Sequence, residues 1–229
     1  MPAYVAIPAS GTGPGVVVLH AWWGLNGFFR QLCDRLAGEG FVAVAPDLYG
    51  GKTASTIDEA RQLIQAMDGA AAEQRLDEAV TFLKHHHAVH QNGLGAIGFS
   101  MGGAWALFAS TYYPDDIAAV VVFYGSGSAD FAKARAAYLG HYAENDEWEP
   151  TEDVQFLENA LRSAGREVQF HTYPGVAHWF FENNRPEYNA EAAQLAWQRT
   201  VAFLRDHNSD IVNLIQNPKS QIQNPDVVH

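Results

Sequence analysis

The sequence lacks the features that would direct a chain to a membrane or to nucleic acid. It contains no uninterrupted apolar run of about 18 residues, so we expect no membrane span. Basic residues are scarce: 14 lysines and arginines stand against 26 aspartates and glutamates, which gives a formal net charge of −12. A strongly negative chain is repelled by phosphate-rich surfaces. We therefore expect neither nucleic acid nor an anionic membrane as a partner.

Cysteine is almost absent, since Cys33 is the one cysteine in the sequence. An internal disulfide is therefore excluded, which fits a reducing compartment. The first residues show no basic segment followed by an apolar core, as a secretory signal would require. Together these observations predict a cytoplasmic protein. Cys33 shares a helical stripe with Phe29 and Leu36, so we interpret it as a core residue.

What the sequence does contain is a regular alternation of buried strands and helices. Continuous, β-branched apolar runs at 16–20, 41–47 and 117–124 are typical of strands in a parallel sheet. Helical patterns separate them, so we predict an α/β fold with a mainly parallel central sheet and helices on both faces. The domain is expected to span residues 1–208. The polar, proline-punctuated tail at 209–229 is predicted to be disordered and is given no catalytic role.

One strand in this series ends in Gly98-Phe99-Ser100-Met101-Gly102 and passes directly into a helical pattern. Gly-x-Ser-x-Gly between a strand and a helix is the pattern of a nucleophile elbow, which holds a serine hydroxyl out at the carboxyl edge of a sheet. A glycine-rich turn between buried elements can give the same pattern without any chemistry. The interpretation of Ser100 as a nucleophile therefore depends on finding a base and an acid.

An acid and a base follow Ser100 in the order expected for this topology, Ser, then Asp or Glu, then His. Asp146 and His178 satisfy that order, each after a predicted strand. Glu144 and Glu147 compete with Asp146, whose shorter side chain leaves less freedom for orienting an imidazole.

Three other histidines, His20, His141 and His171, compete with His178 because they also belong to predicted strands. We prefer His178 because it lies in a predicted Pro-Gly loop at 174–179, where a base could reach the serine. The predicted catalytic set is therefore Ser100, Asp146 and His178.

The oxyanion hole of such a site needs two backbone N-H groups, one from the residue after the nucleophile and one from an earlier loop. We predict Met101 and Trp22 as these donors. Aromatic residues follow several strands, and the substrate pocket is predicted to be lined by Trp23, Tyr49, Tyr124, Trp148 and Trp179. Phe28 and Phe99 fit a pocket and an ordinary core equally well.

Histidines 85–87 and His90 form a cluster that could suggest a metal site. Adjacent residues on a helix point in different directions, and zinc sites usually include spaced cysteines or carboxylates. We therefore expect a solvated helix end, where positive charge is favourable. Neither a metal nor an organic cofactor is predicted.

These motifs make the chain resemble the dienelactone hydrolase family of α/β-hydrolases. The matching segments lie at 18–26, 45–51, 98–103, 141–146, 173–178 and 188–200, within about residues 3 to 206. The resemblance implies an α/β-hydrolase fold and a hydrolase, similar to carboxymethylenebutenolidase, that acts on a small ester or lactone.

Three positions depart from the pattern of the prototype enzymes. Ser100 stands where they carry a cysteine, and Ala21 stands where they carry a glutamate that helps to activate the thiol. A serine nucleophile activated by a histidine needs no thiol-activating glutamate, so the absence of the cysteine and of the glutamate is consistent with a serine hydrolase. Glu182 replaces an arginine that grips a substrate carboxylate, and Arg185 is the nearby arginine that could substitute. The resemblance with these departures predicts a serine hydrolase that prefers neutral substrates.

Alternatives remain for the function. An acyltransferase could use the same three residues, and a non-catalytic ligand-binding protein could use the same scaffold. The sequence does not distinguish a monomer from a homodimer.

Overall fold

The computed structural model describes residues 3–90 and 93–208, and the predicted tail at 209–229 lies outside them. The strands are β1 (Ala3–Ala6), β2 (Gly15–Leu19), β3 (Val42–Pro46), β4 (Leu94–Phe99), β5 (Ile117–Phe123), β6 (Ala137–Asn145) and β7 (Val168–Ala177). The helices are α1 (Gly27–Gly38), α2 (Ile57–Gln65), α3 (Gly69–His85), α4 (Met101–Tyr112), α5 (Thr151–Ser163) and α6 (Ala190–Asn208).

The seven strands form one sheet in the order β1-β3-β2-β4-β5-β6-β7. The β1 strand runs antiparallel to β3, and every other neighbouring pair is parallel. This arrangement confirms the predicted α/β fold with a mainly parallel sheet. Because parallel strands end at the same edge, the loops after β2, β4, β6 and β7 meet there.

Helices cover both faces of the sheet and create two hydrophobic cores. On one face, Phe29 of α1 and Trp197 of α6 pack against the strands. On the other face, Leu76 of α3, Leu107 of α4 and Leu161 of α5 do the same. Cys33 belongs to the first core, as its spacing predicts. The central strands are therefore buried on both sides, which explains their continuous apolar sequences.

The β7 strand is longer than its sequence suggests. The predicted loop at 174–179 is wrong for its first four residues, since β7 continues through Pro174 to Ala177, where it pairs with Asn145 of β6. Proline is tolerated because β7 is an edge strand, so its missing N-H breaks no ladder on the open side. The register shifts between the pairs Ala143–Tyr173 and Asn145–Ala177, where β7 contains two more residues than β6. His178 is therefore the first residue after β7.

In the part of the chain that the structure describes, no helix is both long and apolar enough to cross a membrane.

Candidate active site

Ser100 lies in the sharp turn between β4 and α4. Its backbone has φ 51° and ψ −117°, a region that L-residues rarely adopt. Glycine is required on both sides: a Cβ on Gly98 would lie 2.1 Å from the carbonyl oxygen of Gly102, and one on Gly102 would lie 2.2 Å from that of Leu19. The turn therefore has the geometry of a nucleophile elbow, and its strain is held by this close packing.

His178 is within hydrogen-bond distance of Ser100. Its Nε2 lies 3.0 Å from the Oγ of Ser100, although the two residues are 78 positions apart in the sequence. The imidazole is almost completely buried and packs beside the ring of Tyr124, with ring centroids 4.8 Å apart. The separation is suitable for proton transfer from the hydroxyl to the imidazole.

Asp146 lies on the opposite side of the imidazole. The Nδ1 of His178 lies 2.9 Å from Oδ1 and 2.8 Å from Oδ2 of the carboxylate. Because a carboxylate can only accept, Nδ1 carries the proton and Nε2 is left to accept from the serine hydroxyl. The backbone N-H groups of Trp148 and Glu149 also donate to Oδ1, each at 2.9 Å. These bonds fix the carboxylate in its position beside Nδ1 of His178.

The competing acidic residue Glu144 has a different contact. Its Oε2 accepts a hydrogen bond from the backbone N-H of Gly175 at 2.8 Å, which links β6 to β7. Glu147 is exposed in the same loop. The structure thus brings together Ser100, Asp146 and His178 as a connected set.

Two of the competing histidines are fully buried in other hydrogen-bond networks. His141 lies between the hydroxyls of Tyr173 and Thr200, at 2.9 and 3.0 Å. Burial holds the pKa of His141 well below its usual range. His20 contacts backbone groups near the end of β2, and its pKa is lowered to about 4, again by burial. His171 packs beside His141 within β7, with ring centroids 6.2 Å apart.

The backbone around the predicted oxyanion donors is closely packed. Met101 is the first residue of α4, so its N-H has no carbonyl partner within the helix. Leu19 of β2 pairs with Gly98 of β4, which brings the residues after each strand, including Trp22 and Ser100, to the same edge. The assignment of Met101 and Trp22 as the two donors stays a prediction.

Four tryptophans form a cluster beside this edge. Trp22 contacts Trp148 with ring centroids 5.1 Å apart, and Trp179 contacts both Trp148 and Trp23, at 5.4 and 5.2 Å. Trp148 is 39% exposed and Trp22 is partly exposed, so these two have solvent-accessible surface, and their predicted role in lining a substrate pocket stays a prediction.

The other predicted pocket residues are more buried than a lining role suggests. Trp23 is 1% exposed and Tyr124 is 0% exposed, so in this conformation both support the wall of the site from behind. Trp179 is also almost completely buried, and Tyr49 reaches the Sδ of Met101 with its hydroxyl at 3.2 Å. Phe99, fully buried, stacks on Phe123 and belongs to the core.

Comparison with known proteins identifies the family. The sequence profile of the dienelactone hydrolase family matches residues 1–208. The chain belongs to the dienelactone hydrolase family. Protein usf from Aquifex pyrophilus is 35% identical to it, and a relative named "Putative carboxymethylenebutenolidase" from Aquifex aeolicus is 32% identical. Each alignment covers 89% of this chain and 92% of the relative.

Solved structures agree with this assignment. A putative dienelactone hydrolase from Klebsiella pneumoniae has a TM-score of 0.79 and 28% sequence identity, over 89% of this chain and 92% of that one. The resemblance predicted from the motifs is thus confirmed. Membership of the dienelactone hydrolase family supports a hydrolase of the ester or lactone type.

Glu182, the residue that the resemblance aligns with an arginine of the prototype enzymes, is fully buried. Its Oε1 accepts a hydrogen bond from the hydroxyl of Tyr124 at 3.0 Å, while Oε2 has no hydrogen-bond partner. Burial raises the pKa of Glu182 to about 8, although the nearby Arg185 opposes the shift. Arg185 itself lies over the ring of Trp23, 3.9 Å from its centroid. Sequence reasoning missed this Tyr124 and Glu182 pair, whose signal was a glutamate directly after two phenylalanines.

Across residues 3–90 and 93–208, no group of three or more His, Cys, Asp or Glu side chains is arranged to hold a metal ion. In the histidine cluster, α3 ends at His85, and His86 accepts a hydrogen bond from the backbone N-H of Ala88 at 3.2 Å. The ring of His86 stacks on that of His87, with centroids 4.4 Å apart. These contacts complete the end of the helix.

Proposed function

We propose that this protein is a serine hydrolase that cleaves small esters or lactones through an acyl-enzyme intermediate. The single observation that carries the proposal is a connected chain of two contacts: the imidazole of His178 lies 3.0 Å from the Oγ of Ser100 on one side and 2.8 Å from the carboxylate of Asp146 on the other. A serine hydroxyl is a weak nucleophile at neutral pH, and this arrangement is the one that activates it.

In the first half of the reaction, Oγ of Ser100 attacks the substrate carbonyl while its proton passes to Nε2 of His178. The carbonyl oxygen becomes an oxyanion, which the N-H groups of Trp22 and Met101 stabilise. Asp146 holds the imidazolium through Nδ1. The tetrahedral intermediate then collapses, and His178 gives its proton to the departing alcohol oxygen. In a lactone, that oxygen stays attached to the acyl group.

In the second half, water attacks the acyl-enzyme and gives its proton to His178. The same two N-H groups stabilise the second oxyanion, and Ser100 recovers its proton as the acid leaves. Each such donor contributes on the order of 3 kcal/mol to stabilising the transition state. No step needs a metal or an organic cofactor.

The test uses p-nitrophenyl acetate turnover and labelling by a fluorophosphonate probe, which forms a covalent bond with an activated serine. We expect Ser100→Ala to lose both labelling and turnover. Ser163→Ala is the matched control, because Ser163 is exposed at the end of α5. Wild-type labelling and turnover in the Ser100→Ala variant would refute the proposal.

We further propose that neutral esters and lactones are preferred over carboxylated ones. The support is Glu182, which offers a carboxyl group at the position where the family pattern has a carboxylate-binding arginine. Comparing kcat/KM for a matched neutral and carboxylated ester tests this preference. Faster cleavage of the carboxylated member would contradict it.

Adding a competing alcohol and analysing the products separates hydrolysis from acyl transfer. A hydrolase gives mainly the free acid, whereas an acyltransferase gives mainly the new ester. A ligand that binds without being cleaved, together with no probe labelling, would instead indicate a binding protein.

A further inference from the structure

His20 has a set of contacts that the proposed reaction does not use. It follows β2 directly and is completely buried, yet it takes no part in the Ser100, Asp146 and His178 set. Its Nδ1 lies 2.7 Å from the carbonyl oxygen of Ala21, and its Nε2 lies 3.1 Å from the backbone nitrogen of Leu48. The ring thus connects the loop after β2 with the loop after β3.

These partners fix the protonation state of the ring. A carbonyl oxygen can only accept a hydrogen bond, so Nδ1 must donate to Ala21. A backbone N-H can only donate, so Nε2 must accept from Leu48. One form of the imidazole satisfies both, the neutral tautomer with its proton on Nδ1. Burial favours the same neutral form, since it lowers the pKa of His20 to about 4.

The carbonyl that His20 holds belongs to the same peptide group as the N-H of Trp22. It also accepts a hydrogen bond from the backbone N-H of Gly24 at 3.1 Å, so two donors fix its direction. The Ala21–Trp22 peptide bond is trans, which directs its N-H away from its carbonyl. Fixing the carbonyl therefore fixes the N-H. Donors on the carbonyl also polarise the peptide and strengthen its N-H as a donor.

The register of the sheet places this peptide next to the nucleophile. Leu19 of β2 pairs with Gly98 of β4, and two residues further along each chain come Ala21 and Ser100. The first turn of α4 packs directly on the end of β2, since a Cβ on Gly102 would lie 2.6 Å from the carbonyl oxygen of His20. The N-H of Trp22 is therefore close to the place that the carbonyl oxygen of a substrate bound at Ser100 would occupy.

We propose that His20 is a positioning residue that orients the Ala21–Trp22 peptide. The N-H of Trp22 then points at the oxyanion that forms on the substrate when Ser100 attacks its carbonyl. The inference rests on the proposed serine hydrolase function. Without the bond from Nδ1, only the longer bond from the N-H of Gly24 holds the carbonyl, and the peptide has more freedom to rotate about the dihedrals on either side of it. The poorly directed N-H then stabilises the oxyanion less, which slows the chemical step, and substrate binding is affected little.

Two substitutions separate the two contacts of the ring. In His20→Asn, the amide nitrogen lies near the position of Nδ1, so the bond to Ala21 is kept and the bond to Leu48 is lost. In His20→Gln, the longer side chain reaches the position of Nε2, so the bond to Leu48 is kept and the bond to Ala21 is lost. Each variant loses one hydrogen bond, and we expect both to lose thermal stability to a similar extent.

Their kinetics are expected to differ. In His20→Gln, kcat for p-nitrophenyl acetate should fall roughly 10- to 100-fold with KM almost unchanged, because a misdirected donor retains part of the effect of an oxyanion contact. In His20→Asn, kcat should stay within about threefold of the wild type, since the donor is kept. A trifluoromethyl ketone, which adds Ser100 to form an oxyanion, should lose affinity in the Gln variant and keep it in the Asn variant. If His20 had a purely structural role, kcat and the affinity for the ketone would fall alike in both variants.

Equal kcat in the Gln and Asn variants overturns the inference. So does an Nε2-protonated His20, which nitrogen NMR of the imidazole in the unaltered protein would detect, and this measurement decides the matter if neither variant folds. The outcome for Ser100→Ala keeps the two proposals apart. If that variant is active, the proposed function fails; if it is inactive while His20→Gln retains full kcat, the positioning role alone fails.

Discussion

Replacing the buried carboxyl of Glu182 by the neutral amide of Gln should remove a pH-dependent loss of stability. The side chain is completely buried, and burial raises its pKa in the folded protein to about 8, against 4.5 for the free group. Glu182→Gln keeps an oxygen that can accept from the hydroxyl of Tyr124 but has no proton to lose. The variant therefore isolates the effect of ionisation.

The direction of the effect follows from where the proton is bound. Below pH 4.5, the glutamate is protonated in both the folded and the unfolded chain, and its stabilising contribution is fully present. As the pH rises from 4.5 towards 8, the unfolded chain loses the proton and the folded chain retains it, so the free energy of unfolding decreases. The loss is about 3 kcal/mol at pH 7 and about 5 kcal/mol above pH 8, at 1.36 kcal/mol for each pKa unit.

The measurement is urea unfolding of the wild type and Glu182→Gln at several pH values between 5 and about 9. The stability of the variant relative to the wild type should increase across this range. Glu152→Gln is the matched control, because it makes the same Glu-to-Gln change at an exposed position, in α5. A parallel pair of profiles for the wild type and Glu182→Gln would refute the reasoning, since it would mean that Glu182 titrates normally when folded.

Three further outcomes are expected. Asp146→Asn should lower kcat for p-nitrophenyl acetate about 10³- to 10⁴-fold, because an amide lacks the negative charge that stabilises the imidazolium and can donate to Nδ1, which favours the wrong tautomer; Glu144→Gln should remain near the wild type. Gly102→Ala should destabilise the fold by about 3 kcal/mol in urea unfolding, since its Cβ would meet a backbone carbonyl of β2 at 2.2 Å, whereas Gly127→Ala, whose nearest contacts are at 3.4 Å, should cost much less. Cys33 should resist iodoacetamide in the folded protein and react in urea, because burial raises the pKa of its thiol to about 12; rapid native labelling would contradict this.

The features that could be predicted from the sequence are those that depend on short segments. Gly98 is required by the backbone of the turn itself and Gly102 by the close approach of β2, but both needs appear as glycines within five residues, so this short segment was enough to predict the elbow. The parallel sheet was predicted because strands buried on both faces must be apolar throughout. The order of Asp146 and His178 after the serine follows from the topology, since each residue needs only to follow a strand whose carboxyl end reaches the same edge.

What could not be predicted depends on neighbours that are distant in the chain. Pro174 indicates a loop locally, and only the position of β7 at the edge of the sheet allows the strand to continue. Similarly, Trp23 and Tyr124 are residue types typical of a pocket lining, but they are buried by residues distant in the chain. Phe180 packs against Tyr124, and Arg185 lies over the ring of Trp23. Residue type and spacing do not contain that information.

The burial of Glu182 also changes how the substrate preference should be understood. The sequence suggests a negative charge at this position, which would repel a carboxylated substrate. With a pKa of about 8, however, Glu182 is ionised in only about a tenth of the molecules at pH 7. At neutral pH, the proposed discrimination against carboxylates must then depend mainly on the absence of an arginine at position 182, and repulsion is added only as Glu182 ionises. The preference for neutral esters should therefore increase between pH 7 and 9 in the wild type and stay constant in Glu182→Gln.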